Sequence, residues 1–113
     1  MLSAQRNLEV SNFGPAASDA YFAAFHSASA LLLTEGVERA HHSGIKAEYD
    51  QRVAHGRLIG KEFHKGYDTL FNLRNQADYS RNPVKVKDAK EAYEWATRML
   101  AATKAYCDDW FGR

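Results

Sequence analysis

An all-α fold, an antiparallel up-and-down bundle of about five helices, is predicted by three observations. Apolar residues recur at three-and-four spacing through most of the 113 residues, the period of a helix with one buried face. The two prolines and seven glycines fall largely between these patterns, where they act as punctuation. No stretch alternates apolar and polar residues as a half-buried strand would.

The first helix is short, about Leu2 to Val10, and Asn12-Phe13-Gly14-Pro15 breaks it. The second runs from about Pro15 to Glu35 and is closed by Gly36. A proline is tolerated in a first turn because its missing N–H has no intrahelical partner there. Ala17, Tyr21, Ala24, Ala28, Leu31 and Leu32 share one side, and Phe22, Phe25, Ser29 and Leu33 carry apolar surface round to another. A helix apolar nearly all round is expected at the centre of a bundle.

The third helix is expected from a Ser43 cap to Gly56, with Ile45, Tyr49 and Val53 inward. The fourth spans about Leu58 to Tyr79, with Ile59, Phe63, Leu70, Leu73 and Ala77 as its core stripe. Tyr67, Phe71, Arg74 and Asp78 repeat the spacing on the adjoining flank, and Ser80-Arg81-Asn82-Pro83 ends the helix. The fifth runs from about Lys87 to Trp110, with Ala89, Tyr93, Ala96, Leu100, Thr103, Cys107 and Trp110 inward. Short connections make neighbours antiparallel, and the length suits a single domain over residues 1–113.

Net charge is +1, which gives no basic footprint over the whole chain. The single cysteine, Cys107, excludes an internal disulfide; it reads as a small core residue in a reducing cytoplasm. The longest apolar-leaning run, Ala20 to Leu33, is interrupted by His26, Ser27 and Ser29 and is too short for a membrane span, which takes ~20 residues.

The segment Leu73-Arg74-Asn75-Gln76-Ala77-Asp78-Tyr79 carries the chemistry. Arg74 and Asp78 are four apart, close enough to pair. Leu70 and Leu73 draw Arg74 toward the core, and a guanidinium keeps its charge there and can hold phosphate through two hydrogen bonds. The ordinary role of such a pair is to tether a helix end. His26 lies within an apolar helix and reads as a core or interface histidine. His41 and His42 are adjacent on a turn, a spacing ill suited to one metal, so no metal and no cofactor are expected. His55 suits a helix C-terminus. His64 precedes Arg74 by ten residues, ~15 Å of helix rise, too far for both to touch one phosphate. No phosphate-cradling glycine loop, GxSxG or HExxH motif is present.

Three segments together resemble one family. Ala20-Tyr21-Phe22-Ala23-Ala24-Phe25-His26-Ser27-Ala28 is similar to its "AYYAAFHAA" helix, His42-Ser43-Gly44 follows at the usual interval, and Arg74-Asn75-Gln76-Ala77-Asp78-Tyr79 is similar to its "RxxADY" helix end. This is the HEPN domain family, and the resemblance extends over roughly Ala16 to Tyr106. It implies a helical bundle that dimerises. Many members are metal-independent ribonucleases, several of them toxins paired with a small nucleotidyltransferase antitoxin. Their motif is Arg, often Asn, Asp or His, then His after four to six variable residues, with two copies meeting across a dimer cleft.

Carried over residue by residue, Arg74 matches the family arginine and Asn75 the polar residue after it, but Tyr79 stands where the histidine of the tightest spacing belongs. A tyrosine, with pKa near ~10, is a poor base at neutral pH, and losing acid–base help costs ~10²–10⁴ in rate. The expectation is therefore a homodimeric binding or regulatory module. It would hold a nucleotide or RNA phosphate through Arg74 and Asp78, with His42 and His26 as further binding candidates and a nucleotidyltransferase as a partner. Two rivals stand beside it: a ribonuclease toxin whose histidine is displaced, with His42 or His26 supplied by the opposite subunit, and a purely structural dimerisation module.

Overall fold

The computed structural model describes residues 1–38, 41–55 and 58–112, with His42 through its backbone only. Among the described residues there are five helices and no strand: α1 (Leu2–Glu9), α2 (Phe13–Leu33), α3 (His42–Ala54), α4 (Glu62–Tyr79) and α5 (Val86–Phe111). The predicted all-α bundle is the fold. Helix α2 is central and touches each of the other four.

The reason lies in its composition. Ala16, Ala17, Ala20, Ala24 and Ala28 of α2 are buried, as are Ala89, Ala92 and Ala96 of α5. Small side chains on both helices allow close approach, and the larger Tyr21, Leu31, Leu32, Leu70 and Met99 are fully buried in the core around them. Gly66 does the same for α4 and α5: a Cβ there would stand 2.4 Å from Trp95 Cε3. The indole occupies the space that glycine leaves.

Helix ends differ from the sequence expectation in informative ways. Helix α2 starts two residues early, at Phe13, so Gly14 and Pro15 lie inside its first turn. Its far end is a tapering turn: Gly36 N–H donates to Leu33 O and Val37 N–H to Leu32 O, with Gly36 at φ +72°. This is the two-bond closure that favours glycine in the left-handed region. Helix α1 ends the same way on Ser11, at φ +61°, with Ser11 N–H donating to Leu8 O and Asn12 N–H to Asn7 O. A side chain there carries a cost that glycine would avoid.

Three expectations are corrected. Ser43 does not cap α3; the cap is His41, in extended backbone, without a side-chain hydrogen bond. The predicted end of α3 at Gly56 lies outside the described residues. Helix α4 begins at Glu62 and not Leu58, because Gly60 interrupts the helical run, and Glu62 then places a carboxylate in the first turn, where the helix dipole favours it. The inner face of α5 is Ala89, Ala92, Ala96, Met99 and Thr103, so Tyr93, Leu100 and Cys107 lie on its flanks and Trp110 is exposed.

Candidate functional site: a ring-enclosed arginine

The last turns of α4 carry the motif residues. Leu70 and Leu73 are buried, which turns Arg74 inward along the α2 face, and its side chain is only 17% exposed. The guanidinium carbon stands 5.5 Å from the ring centres of Tyr21 and Phe22 and 5.1 Å from that of Tyr79. Rings on three sides place a cation against their negative faces, worth ~0.5–2 kcal/mol each depending on desolvation.

Arg74 Nε lies 3.0 Å from Asp78 Oδ2. The approach is electrostatic without a directed hydrogen bond, because Nε is buried and has no acceptor in line with it. Ser18 Oγ donates to the same Asp78 oxygen at 3.5 Å, from α2. Asp78 is therefore shared between the arginine and the neighbouring helix. The ordinary tethering role and a ligand-holding role would use the same pair, and the buried Nε, out of line with its carboxylate, is left without a hydrogen-bond acceptor.

Tyr21 forms the floor. It is fully buried, and burial pushes its phenol above the ordinary range, partly offset by the Tyr67 hydroxyl, Arg74 and Lys46. Its ring stacks on Tyr67 at 6.1 Å and meets Phe71 edge-on at 6.0 Å, so α4 presents one continuous aromatic strip to α2. Asn75 is half-buried beside Arg74, and Tyr79 is 73% exposed. Beside Asp78, a cleft of about 370 Å³ opens between the start of α2 and the α4–α5 turn, lined in part by Gly14, Ala77, Ser80 and Arg81.

The site thus unites Arg74, Asn75, Asp78 and Tyr79. It does not gather in His26. That residue is exposed, edge-on to Phe25 at 5.4 Å, and among the described residues no hydrogen bond, ion pair or ring contact joins it to Arg74. Exposure removes the core role expected for it. The side chain of His42 lies outside what the structure describes.

Sequence reading missed the second and third walls of the enclosure, Tyr21 and Phe22. They precede Arg74 by 53 and 52 residues in the chain, and only the antiparallel pairing of α2 with α4 brings them there. It also missed a polar cluster on the α3–α4 side. The Lys46 ammonium bonds both Asp50 and Asp68, and His64 Nδ1 lies 3.8 Å from Asp68 Oδ2. Burial alone would lower the Lys46 pKa; the bonds to Asp50 and Asp68 outweigh it and hold the ammonium above its ordinary value. The available signal was two i, i+4 pairs, Lys46/Asp50 and His64/Asp68.

Comparison with known proteins shows the family of the chain. The sequence profile of the HEPN domain matches residues 1–106. A UPF0332 protein of Thermotoga maritima is 36% identical over 59 residues, 52% of this chain and 45% of that protein. A protein of Methanocaldococcus jannaschii described as a "putative toxin" is 31% identical over 93 residues, 79% of this chain and 69% of that protein. The chain belongs to the HEPN domain family. It spans less than half of the first relative and about two-thirds of the second. No solved structure matches it. Among the described residues no helix is long and apolar enough to cross a membrane.

Proposed function

We propose that this HEPN-domain protein is a binding or regulatory module that takes a nucleotide or RNA phosphate at Arg74 and acts as a homodimer. The observation that carries the reading is the state of Arg74 itself. Its charge is permanent, three rings immobilise it, and its one acidic neighbour leaves the Nε donor unmet. A pre-positioned guanidinium loses little freedom on binding phosphate, the condition under which such contacts are strongest.

The site is open toward solvent on the Tyr79 side, which suits completion by a second copy. Phe22 and Phe25 remain partly exposed along the same helix, and half-exposed aromatic rings are the residues that protein interfaces favour. The relative described as a putative toxin supports a role in a toxin–antitoxin pair, with a nucleotidyltransferase as the partner. Tyr79 in the histidine position supports binding ahead of cleavage, since an exposed phenol is a weak base at neutral pH.

The test is a mixed RNA substrate with EDTA present, read both for cleavage and for binding by fluorescence anisotropy, with Arg74→Ala in parallel. Binding without cleavage that falls at least ~10-fold in the mutant is expected for a phosphate contact. Cleavage lost in Arg74→Ala would replace the reading with a metal-independent ribonuclease. RNA and nucleotide affinity unchanged by Arg74→Ala, with a lowered melting temperature, would leave a structural dimerisation module. A monomer at micromolar concentration by light scattering would remove the shared-site dimer.

A further inference from the structure

We infer that the ring of Tyr79 is a stacking platform for an unpaired nucleobase, so that the site takes a phosphate at Arg74 together with the base next to it. The inference rests on phosphate binding at Arg74 and names the class of nucleic acid that the site accepts. The guanidinium carbon of Arg74 lies over the Tyr79 ring, 5.1 Å from its centre. The other two rings around the arginine differ in kind: Tyr21 is fully buried and Phe22 half-buried. Tyr79 is 73% exposed. With the cation against one face, the opposite face of the ring is left open to solvent, directly beside the charge.

A platform must also be held still, and the end of α4 is tied down. Tyr79 is the last residue of that helix. Gln76, three residues earlier, donates from its side-chain amide to the carbonyl oxygen of Pro83 at 3.1 Å. Asn82 N–H donates to Ser80 Oγ at 3.1 Å, and Ser80 N–H donates to Gln76 O at 3.2 Å. The turn after the ring is thus fastened to the helix on which the ring stands. An exposed side chain loses rotamer freedom when it binds. Here the contact with Arg74 restricts the ring in advance, which lowers that cost.

The pairing of charge and ring defines the ligand. An arginine by itself holds any backbone phosphate, in a duplex or a single strand. The ring adds selectivity: bases inside a duplex are stacked on one another and offer only their edges, so an unpaired base alone can lie flat on tyrosine. Every base has such a face, and little preference among the four is expected. A single-stranded RNA and a free mononucleotide share this chemistry. The other exposed aromatic pair, Trp110 and Phe111, directly follows Asp108 and Asp109. Carboxylates at that end of α5 repel a phosphate, so the platform is assigned to Tyr79 and not to them.

The test titrates the full chain into a single-stranded RNA carrying one 2-aminopurine, whose fluorescence is quenched on stacking, with affinity read by anisotropy. Tyr79→Leu, Tyr79→Phe and Arg74→Ala run in parallel, with oligomeric state followed by light scattering. Tyr79→Leu should weaken binding roughly 5-fold or more and abolish the quenching; Tyr79→Phe, which keeps the ring, should restore both. Competition by adenosine monophosphate would assign a mononucleotide as the ligand, and competition by unlabelled RNA alone would assign the strand; both outcomes keep the stacked base. Affinity and quenching unchanged in Tyr79→Leu but lost in Arg74→Ala would overturn the platform and leave phosphate binding at Arg74 standing. No binding by the original chain, or no loss from either substitution, would remove both. Affinity that falls in Tyr79→Leu only as the dimer dissociates would also overturn the platform, making the ring a contact between copies.

Discussion

Two arginines lie against aromatic rings in this protein, and they differ in what surrounds them. Arg98 on α5 stands 4.5 Å over the Trp95 ring and 5.6 Å over Phe63, yet it is exposed to solvent. Its rings are core residues whose outer faces it covers. Arg74 is mostly buried, enclosed by rings from two helices, and has an acid at 3.0 Å with an unmet donor. Contact between a cation and an aromatic ring therefore does not mark a site. Desolvation and a donor without an acceptor are what set Arg74 apart, because the low local dielectric strengthens its electrostatic interactions.

The largest expected effect sharpens this contrast. Restoring the family base with Tyr79→His should raise metal-independent RNA cleavage by ~10² or more, because acid–base help contributes that much; Arg98→Ala should leave RNA binding and cleavage unchanged. Cleavage no higher in Tyr79→His than in the original chain would break the account of what Tyr79 removes. Arg74→Ala should lower RNA affinity at least ~10-fold by anisotropy. Equal losses from Arg74→Ala and Arg98→Ala would erase the distinction between the two arginines.

Next in size is the packing beneath Arg98. Gly66→Ala would drive a methyl into the Trp95 ring, and overpacking of this kind costs ~1–3 kcal/mol. Thermal denaturation should show a fall of several degrees, at ~4–8 °C per kcal/mol for a domain near this size. An unchanged midpoint would mean that Trp95 is free to move aside.

Alkaline titration separates the interior from the surface. Tyr21, Tyr49 and Tyr67 are buried and held above the ordinary phenol range by desolvation. A group with a raised folded pKa contributes stability that is whole below its unfolded value, near ~10 for a phenol, and is lost as pH climbs from there through the folded value. Absorbance of phenolate should therefore show half of the six tyrosines ionising only as helix is lost. Six ionising freely near pH ~10 while the helices remain would contradict the burial. The smallest effect is at the α1–α2 turn, where Ser11→Gly should stabilise by ~1 kcal/mol in chemical denaturation, by relieving the left-handed backbone.

The sequence by itself determined the helices, their number and their pattern, because amphipathic periodicity, alanine content and glycine stops are local properties. Arg74, Asn75, Asp78 and Tyr79 were legible for the same reason: they lie within two turns of one helix, and the i, i+4 pair can be counted along the chain. The true inner face of α5 was not, since Ala92 and Met99 compete with Tyr93 and Leu100 and only the angle at which α5 meets α2 selects between them. Nor was the exposure of His26, since an apolar helix does not reveal which stripe its neighbours leave uncovered. Tertiary structure alone decided what encloses Arg74 and what faces Asp50. Tyr21 and Phe22 reach the arginine, and His64 and Asp68 reach Asp50, across pairs of antiparallel helices. Contacts of that kind depend on the register of one helix against another, which the buried tyrosines and the Gly66–Trp95 packing set.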